Sequence, residues 1–274
     1  MVRRRLVIHL GAPKTGSTSV HHFLRRNQDA LADDLVLRIP APGTAMQRLG
    51  QAAIAVSLTP DDDNRASLQA AFRAVLADLP DDDRPVLISH ENLSGAMPGN
   101  GGETGLFPAL PAIVTALEDA LPKGWRADYV LTTRRRKDWL PSVWAQAVRS
   151  DGYAGTWPEF AALTDDLPGW GDLMRRLRKV VPDKRLHHLP LEKTPDAARP
   201  AAPLLALAGL SADRIGALAP EPARRMARLP DAATEFIRRL NQRDLNPRAR
   251  WLVSELVAQN PSLFNADYRP EGTL

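Results

Sequence analysis

A short loop near the start of the chain carries the residues best suited to bind an anion. Residues 6–10 are an apolar run, and residues 11–19 follow with Lys14 between two glycines and with the hydroxyl side chains Ser17, Thr18 and Ser19. Apolar residues then recur at helical spacing, which predicts a buried strand, a glycine-containing loop and an amphipathic helix. The backbone N–H groups of such a loop bind phosphate or sulfate at the positive end of the helix dipole, and Lys14 adds a full charge.

The order of residues in this loop separates it from the nucleotide-binding loop of ATPases and kinases. That loop reads G-x-x-x-x-G-K-[ST], with the lysine after the second glycine. Here Lys14 precedes Gly16 in the segment P-K-T-G-S-T, residues 13–18. In this order the segment resembles the loop with which sulfotransferases bind the 5′-phosphosulfate of 3′-phosphoadenosine-5′-phosphosulfate (PAPS). The alternative is a plain strand–turn–helix connection in which the glycines only make the turn.

A second basic group lies where another apolar run ends. Residues 127–133 predict a strand, Arg134 follows it, and Ser142 comes eight residues later. Arginine offers phosphate a planar fork of donors, and serine adds a short, directional hydroxyl. The alternative is a surface cluster at a helix start, although cations there oppose the helix dipole.

The arginine at the strand end and the serine eight residues later resemble the 3′-phosphate motif of the same sulfotransferase family. The resemblance implies that PAPS is the cosubstrate and that Arg134 and Ser142 hold its 3′-phosphate. It also implies that the 5′-phosphosulfate is held by Pro13, Lys14, Thr15, Gly16, Ser17, Thr18 and Ser19. Lys14 would stabilise the bridging oxygen of the leaving group as charge develops on it. The C-terminal R-K-G segment of the well-known cytosolic members is absent, with a loose echo at residues 269–272.

Two adjacent residues, His90 and Glu91, follow a third apolar run and are the candidates for a catalytic base. Sulfuryl transfer is an in-line displacement, and a base near the acceptor hydroxyl takes its proton. Glu91 resembles the S-x-E sequence of bacterial family members and is favoured; His90, whose ordinary pKa suits a base, is the alternative. Each also has a structural interpretation, since His90 could bond a neighbouring loop and Glu91 could cap the following turn. Adjacent side chains leave a strand on opposite faces, so only one is expected to act.

Composition narrows the possible partners and compartments. The 274 residues carry a net charge of +4, but their basic residues form no stripe interleaved with aromatics, so no nucleic-acid partner is expected. The absence of cysteine excludes disulfides and thiolate metal sites and fits a reducing compartment. The first apolar run is too short for a signal peptide, and no window is long enough to span a membrane. We therefore expect a cytoplasmic protein that requires no metal; its oligomeric state is left open.

The pattern of apolar segments predicts the fold class. Strands are expected at 6–10, 35–40, 85–89, 127–133 and 185–191, with helices between them and further helices at 200–209, 231–241 and 247–259. Largely apolar strands alternating with helices predict an α/β protein with three layers, in which helices cover both faces of a parallel sheet. The resemblance implies the P-loop NTPase-like fold of sulfotransferases. We expect a single domain, residues 1–274, with an α/β core to about residue 200 and a helical C-terminal extension over 201–274.

These features predict an enzyme that transfers a sulfuryl group from PAPS to a hydroxyl of a small molecule or glycan. A carbohydrate or lipid-linked hydroxyl is favoured, by resemblance to bacterial relatives alone. Two alternatives remain open. A nucleotide kinase or phosphotransferase would bind ATP and magnesium, but the loop lysine is misplaced and no magnesium-holding aspartate after a strand is evident. A non-catalytic module would bind nucleotides or polyanions through its basic clusters.

Overall fold

The computed structural model describes residues 4–222 and 229–265, and within them five strands form one sheet. The strands are β1 (Leu6–Gly11), β2 (Val36–Arg38), β3 (Val86–Ser89), β4 (Ala127–Thr133) and β5 (Leu186–Pro190). Every neighbouring pair is parallel, in the order β2-β3-β1-β4-β5. β1 therefore lies in the centre of the sheet, with β3 on one side and β4 on the other. The predicted parallel α/β fold is confirmed.

Helices connect the strands and follow the last one. Those from the first half of the chain are α1 (Ser17–Arg26), α2 (Gln28–Leu31), α3 (Ala45–Leu58), α4 (Asp62–Ala77), α5 (Leu110–Ala120) and α6 (Arg136–Ser150). The others are α7 (Trp157–Leu163), α8 (Trp170–Leu177), α9 (Ala202–Ala208), α10 (Ala212–Gly216), α11 (Asp231–Asn241) and α12 (Pro247–Gln259). Short 3₁₀ helices lie at Glu91–Ser94, Asp183–Arg185, Leu191–Lys193 and Pro261–Phe264. The short helix α10 was not predicted, because little more than one turn shows too little periodicity to be recognised.

The described residues form two compact units. The first contains the whole sheet and comprises residues 4–97, 105–136 and 167–222. The second is helical and comprises residues 98–104, 137–166 and 229–265. The helices α9 and α10 belong to the first unit, although they lie within the residues expected to form a C-terminal extension, 201–274.

The core of the first unit explains why α9 and α10 belong there. Along one face of the sheet, alternate strand residues pack with apolar side chains of α1, α9 and α10; the cluster includes Val7, Leu87, Val130, Leu24, Leu204 and Ile215. The strand residues in between, such as Leu6, Ile8 and Ile88, are also fully buried. Because successive strand side chains point to opposite faces, helices and loops must cover both faces of the sheet.

The second unit has specific polar contacts both within and between its helices. α7 begins with a capping box in which the Thr156 side chain and Glu159 exchange bonds with each other's backbone N–H groups. Arg149 of α6 and Glu255 of α12 form an ion pair at 3.0 Å. The Asn241 side-chain amide of α11 donates to the Val148 carbonyl at 2.7 Å. In the two described ranges, no helix combines the length and the hydropathy needed to cross a membrane.

Candidate active site

The predicted anion loop leaves β1 at the centre of the sheet and leads directly into α1. Gly16 precedes the helix with a left-handed φ of 99°. The first N–H groups of a helix have no acceptor within the helix, and the first turn of α1 contains no acidic residue that would compete for them. Lys14 is half-buried and also has a left-handed backbone, with a φ of 67°. The start of α1 therefore has the geometry and the charge of an anion site.

Arg134, the predicted 3′-phosphate ligand, reaches this loop. It follows the end of β4, next to β1, and its Nη1 donates to the Lys14 carbonyl at 3.5 Å. Trp170 of α8 fixes the Arg134 backbone, because its indole Nε1 donates to the Arg134 carbonyl at 2.7 Å. Two of the three predicted polar groups are therefore brought together within the first unit. Trp170 was not predicted as a site residue, since it lies 36 residues away along the chain.

Glu192 holds the neighbouring residue of the basic cluster. It follows β5, and its Oε1 accepts a hydrogen bond from the Arg135 backbone N–H at 2.7 Å. The Arg135 guanidinium lies 3.6 Å from the same carboxylate. This contact fixes the turn between β4 and α6 and neutralises part of the positive charge that would oppose the helix dipole.

Glu91, the favoured base, contacts the anion loop as well. It begins the 3₁₀ helix after β3, and its Oε2 accepts a hydrogen bond from Ser17 Oγ at the start of α1. Gly11 makes this approach possible. It has a φ of 71°, and a Cβ placed there would lie 2.5 Å from the Cα of Glu91. Glu91, from the third predicted polar group, therefore contacts the loop in two ways. Its backbone packs against Gly11, and its side chain accepts a hydrogen bond from Ser17.

Replacing Gly11 with alanine is expected to destabilise the protein and displace Glu91. Gly43 is the matched control, since its φ of 75° is similar but a Cβ there meets nothing within 4 Å. We expect Gly43→Ala to lower the free energy of unfolding by about 1 kcal/mol, the cost of a left-handed alanine. Gly11→Ala should cost about 1–3 kcal/mol more, because of the added clash. Urea unfolding measures both values, and equal losses in the two variants would contradict the assigned close contact.

His90, the alternative base, has its ring enclosed. The Nδ1 atom accepts a hydrogen bond from the Asn92 backbone N–H at 3.1 Å, so the proton of the neutral ring lies on Nε2. That Nε2 faces the backbone of α3, where a Cβ on Gly50 would come within 2.1 Å of it. Burial lowers the pKa of His90 to about 4, an effect that the charge of Glu91 partly opposes. In this geometry the ring caps the 3₁₀ helix and has no lone pair left for a substrate proton.

A row of polar side chains, all buried except the half-buried Thr132, lies behind the loop, and the contacts between them were not predicted. His9 of β1 is fully buried, with Nδ1 at 2.7 Å from Ser89 Oγ and Nε2 at 3.2 Å from Thr132 Oγ1. His21 Nε2 lies 2.9 Å from the same Ser89 hydroxyl. Burial is the main cause that lowers the pKa of His9 to about 3 and that of His21 to about 4. Both imidazoles are therefore neutral at neutral pH.

Two of the predicted cofactor ligands, Thr15 and Ser142, donate their hydroxyl protons to backbone carbonyls. Thr15 is 1% exposed, and its Oγ1 donates to the Ala12 carbonyl at 2.7 Å and contacts Thr132 Oγ1 at 2.7 Å. Ser142 lies in α6, in the second unit, and its Oγ donates to the Asp138 carbonyl at 3.1 Å. At the start of α1, by contrast, Thr18 is exposed and Ser19 is half-buried. Ser142 remains a prediction from the sequence motif, and any role of Thr15 falls to its backbone.

Two other expectations concern the C-terminus and metals. The loose echo of the R-K-G segment at residues 269–272 lies outside the described residues. Among residues 4–222 and 229–265, no group of three or more histidine, aspartate or glutamate side chains is arranged to hold a metal ion.

Among known proteins, the similarities found are remote and structural. No protein-family model matches the chain, and no curated protein matches it. Among solved structures, the crystal structure of a sulfotransferase from Alicyclobacillus acidocaldarius is similar with a TM-score of 0.47 and 15% sequence identity, over 92% of this chain and 100% of that one. A similarity this remote says nothing about the reaction, so the chemistry is inferred from the residues of the site.

Proposed function

We propose that this protein is a PAPS-dependent sulfotransferase that acts on a hydroxyl acceptor. The contact between Arg134 and the Lys14 carbonyl carries the proposal, because it joins the two predicted anion-binding segments at the ends of neighbouring strands. A ligand with one phosphate needs only the loop. A ligand with both a 5′-phosphosulfate and a 3′-phosphate uses the loop and the arginine together.

The donor set of the site fits PAPS. The α1 N-terminus, the Lys14 ammonium and the Arg134 guanidinium supply donors and positive charge for two anionic groups. When bound, PAPS supplies the sulfuryl group and leaves as adenosine 3′,5′-bisphosphate. Lys14 stabilises the negative charge that develops on the leaving oxygen, which is where a preorganised cation lowers the barrier most.

Glu91 is the proposed general base, with Ser17 as its link to the loop. Glu91 follows β3, and its carboxylate accepts a hydrogen bond from the Ser17 hydroxyl. The same hydroxyl stands at the start of α1, so it can turn from the carboxylate to a bound anion. Glu91 would then be available to take the proton of the acceptor hydroxyl. The acceptor proposed is a small-molecule or glycan hydroxyl, with a carbohydrate or lipid-linked hydroxyl favoured, and the compartment proposed is the cytoplasm.

The contact between Ser17 and Glu91 also favours a second candidate, an ATP-dependent phosphotransferase. In P-loop triphosphatases, a loop hydroxyl and an acidic residue at a nearby strand hold Mg²⁺ against the nucleotide phosphates. Glu91 occupies such a position, although no aspartate was found there in the sequence. The position of Lys14 before Gly16 and the approach of Arg134 to the loop favour PAPS over ATP.

Removing the 3′-phosphate from the ligand should cost affinity only while Arg134 is present. We expect the wild-type protein to bind adenosine 3′,5′-bisphosphate about 10- to 100-fold more tightly than adenosine 5′-phosphate, the strength of a charge-assisted phosphate contact. In Arg134→Ala this preference should largely disappear. Calorimetric titration of both ligands into both proteins gives the four dissociation constants required.

The control is Arg126→Ala, which removes an exposed arginine at the opposite, amino-terminal end of β4. It should retain the full preference for the bisphosphate. A preference that persists in Arg134→Ala would assign the 3′-phosphate to other residues.

A further inference from the structure

The polar row behind the loop forms a continuous connection between α1 and the anion loop. Its members come from five segments of the first unit, namely α1, β3, β1, β4 and the loop; in order they are His21, Ser89, His9, Thr132 and Thr15. Each consecutive pair is in hydrogen-bond contact, at 2.9, 2.7, 3.2 and 2.7 Å. His9 lies at the centre of the row and of the sheet, where an apolar side chain would have no desolvation cost.

The directions of these hydrogen bonds follow from the hydroxyl protons. Thr132 has one proton, and its shorter contacts are Thr15 Oγ1 at 2.7 Å and the Gly11 carbonyl at 3.1 Å. Either use leaves its oxygen as an acceptor toward His9, so His9 Nε2 carries the ring proton. The Nδ1 atom of His9 then accepts from Ser89, whose oxygen accepts in turn from His21 Nε2. This arrangement requires neutral imidazoles, and burial keeps the pKa of both histidines well below 6.

Thr15, the last residue of the row, lies in the middle of a strained loop. Lys14, with a φ of 67°, and Gly16, with a φ of 99°, flank Thr15. A left-handed backbone at a non-glycine residue costs about 1 kcal/mol or more and persists only where the surroundings fix it. The inward bonds of Thr15 supply that constraint. With Thr15 held inward, its neighbour Lys14 and the start of α1 are left to face an anion.

We propose that His9 is a positioning residue for the anion loop, acting through Thr132 and Thr15. Its ring holds the Thr132 hydroxyl, the Thr132 hydroxyl holds Thr15, and Thr15 fixes the backbone that presents Lys14 and the α1 N-terminus. The proposal rests on the anion-binding role of the loop, but not on which nucleotide is the donor. Inorganic pyrophosphate is therefore the appropriate probe, because it requires only the loop.

Two matched pairs of variants test the proposal by calorimetric titration with pyrophosphate. Thr132→Val removes the connecting hydroxyl without changing the side-chain shape; Thr133→Val is its control on the same strand, since the Thr133 hydroxyl contacts His188 instead. His9→Gln places an amide near the Nε2 position and keeps the Thr132 bond, whereas the shorter His9→Asn reaches only the Nδ1 position. We expect Thr132→Val and His9→Asn to weaken pyrophosphate binding about tenfold. The matched variants Thr133→Val and His9→Gln should weaken it by about twofold or less.

Several outcomes would overturn the proposal. Equal affinities within each pair would show that His9 has only a structural role in the core. If the wild-type protein does not bind pyrophosphate, the loop is not an anion site and the proposal fails. Nitrogen-15 NMR of the wild-type protein gives a test that needs no variant. At neutral pH, His9 should be protonated at Nε2 and unprotonated at Nδ1. The opposite tautomer or a charged ring would contradict the proposed connection. Binding of pyrophosphate without binding of adenosine 3′,5′-bisphosphate would contradict the sulfotransferase proposal but would leave the positioning role of His9 intact.

Discussion

Replacing Lys14 with alanine is expected to lower the rate of sulfuryl transfer by roughly 10²- to 10³-fold, the effect of removing one preorganised group from a developing oxyanion. Lys14 stands in the loop between β1 and α1, where Arg134 contacts its carbonyl. In the proposed mechanism its charge acts mainly on the leaving oxygen, so the turnover number should fall more than the affinity for adenosine 3′,5′-bisphosphate. The rate is measured as bisphosphate release from PAPS with an acceptor found in a screen of hydroxyl compounds.

The control for Lys14→Ala is Lys184→Ala. Lys184 is an exposed lysine that lies just before β5, at the opposite end of the parallel sheet from the loop. The Lys184→Ala substitution removes the same charge from the protein without changing the site. If Lys14→Ala and Lys184→Ala both turn over within about threefold of the wild-type rate, Lys14 has no part in the transition state.

Replacing Glu91 with glutamine should lower the turnover number by roughly 10²- to 10⁴-fold, the range for loss of a general base. Binding of adenosine 3′,5′-bisphosphate should be kept or improved, because a carboxylate that contacts Ser17 at the anion loop is removed. The two effects have opposite signs, so simple unfolding cannot imitate them. Steady-state rates and calorimetric titration on the same protein preparation measure both.

His90→Asn is the companion variant, since an asparagine oxygen can replace His90 Nδ1 as the acceptor for the Asn92 N–H. We expect it to keep most of the activity, because the ring of His90 caps the 3₁₀ helix and faces Gly50. A large loss in His90→Asn with an active Glu91→Gln would reverse the assignment of the base.

The sequence was informative wherever the chemistry is local. The anion loop is a continuous segment, and the residues that follow β3 and β4 could be recognised because the apolar runs before them end abruptly. Parallel strands direct such residues to one edge of the sheet, and there Glu91 and Arg134 both contact the anion loop or the start of α1. The strand order, with β1 between β3 and β4, makes that meeting possible, and no pattern in the sequence specifies it.

The sequence could not identify contacts that depend on tertiary packing. Thr15 was expected among the residues that hold the 5′-phosphosulfate, but its hydroxyl donates to the Ala12 carbonyl and contacts Thr132 on the neighbouring strand. His90 looked suited to be a base until Gly50, 40 residues earlier in the chain, was found against its ring. One signal was present from the start: His9 in an apolar strand requires buried partners. The sequence could not say which residues they are.

The central claim is that the site binds PAPS rather than ATP, and calorimetric titration with adenosine 3′,5′-bisphosphate and with ATP plus magnesium tests it most directly. We expect the bisphosphate to bind without magnesium and at least about tenfold more tightly than ATP with magnesium, because only the bisphosphate would engage both the loop and Arg134. Tight, magnesium-dependent binding of ATP with no binding of the bisphosphate would contradict the account and favour the phosphotransferase.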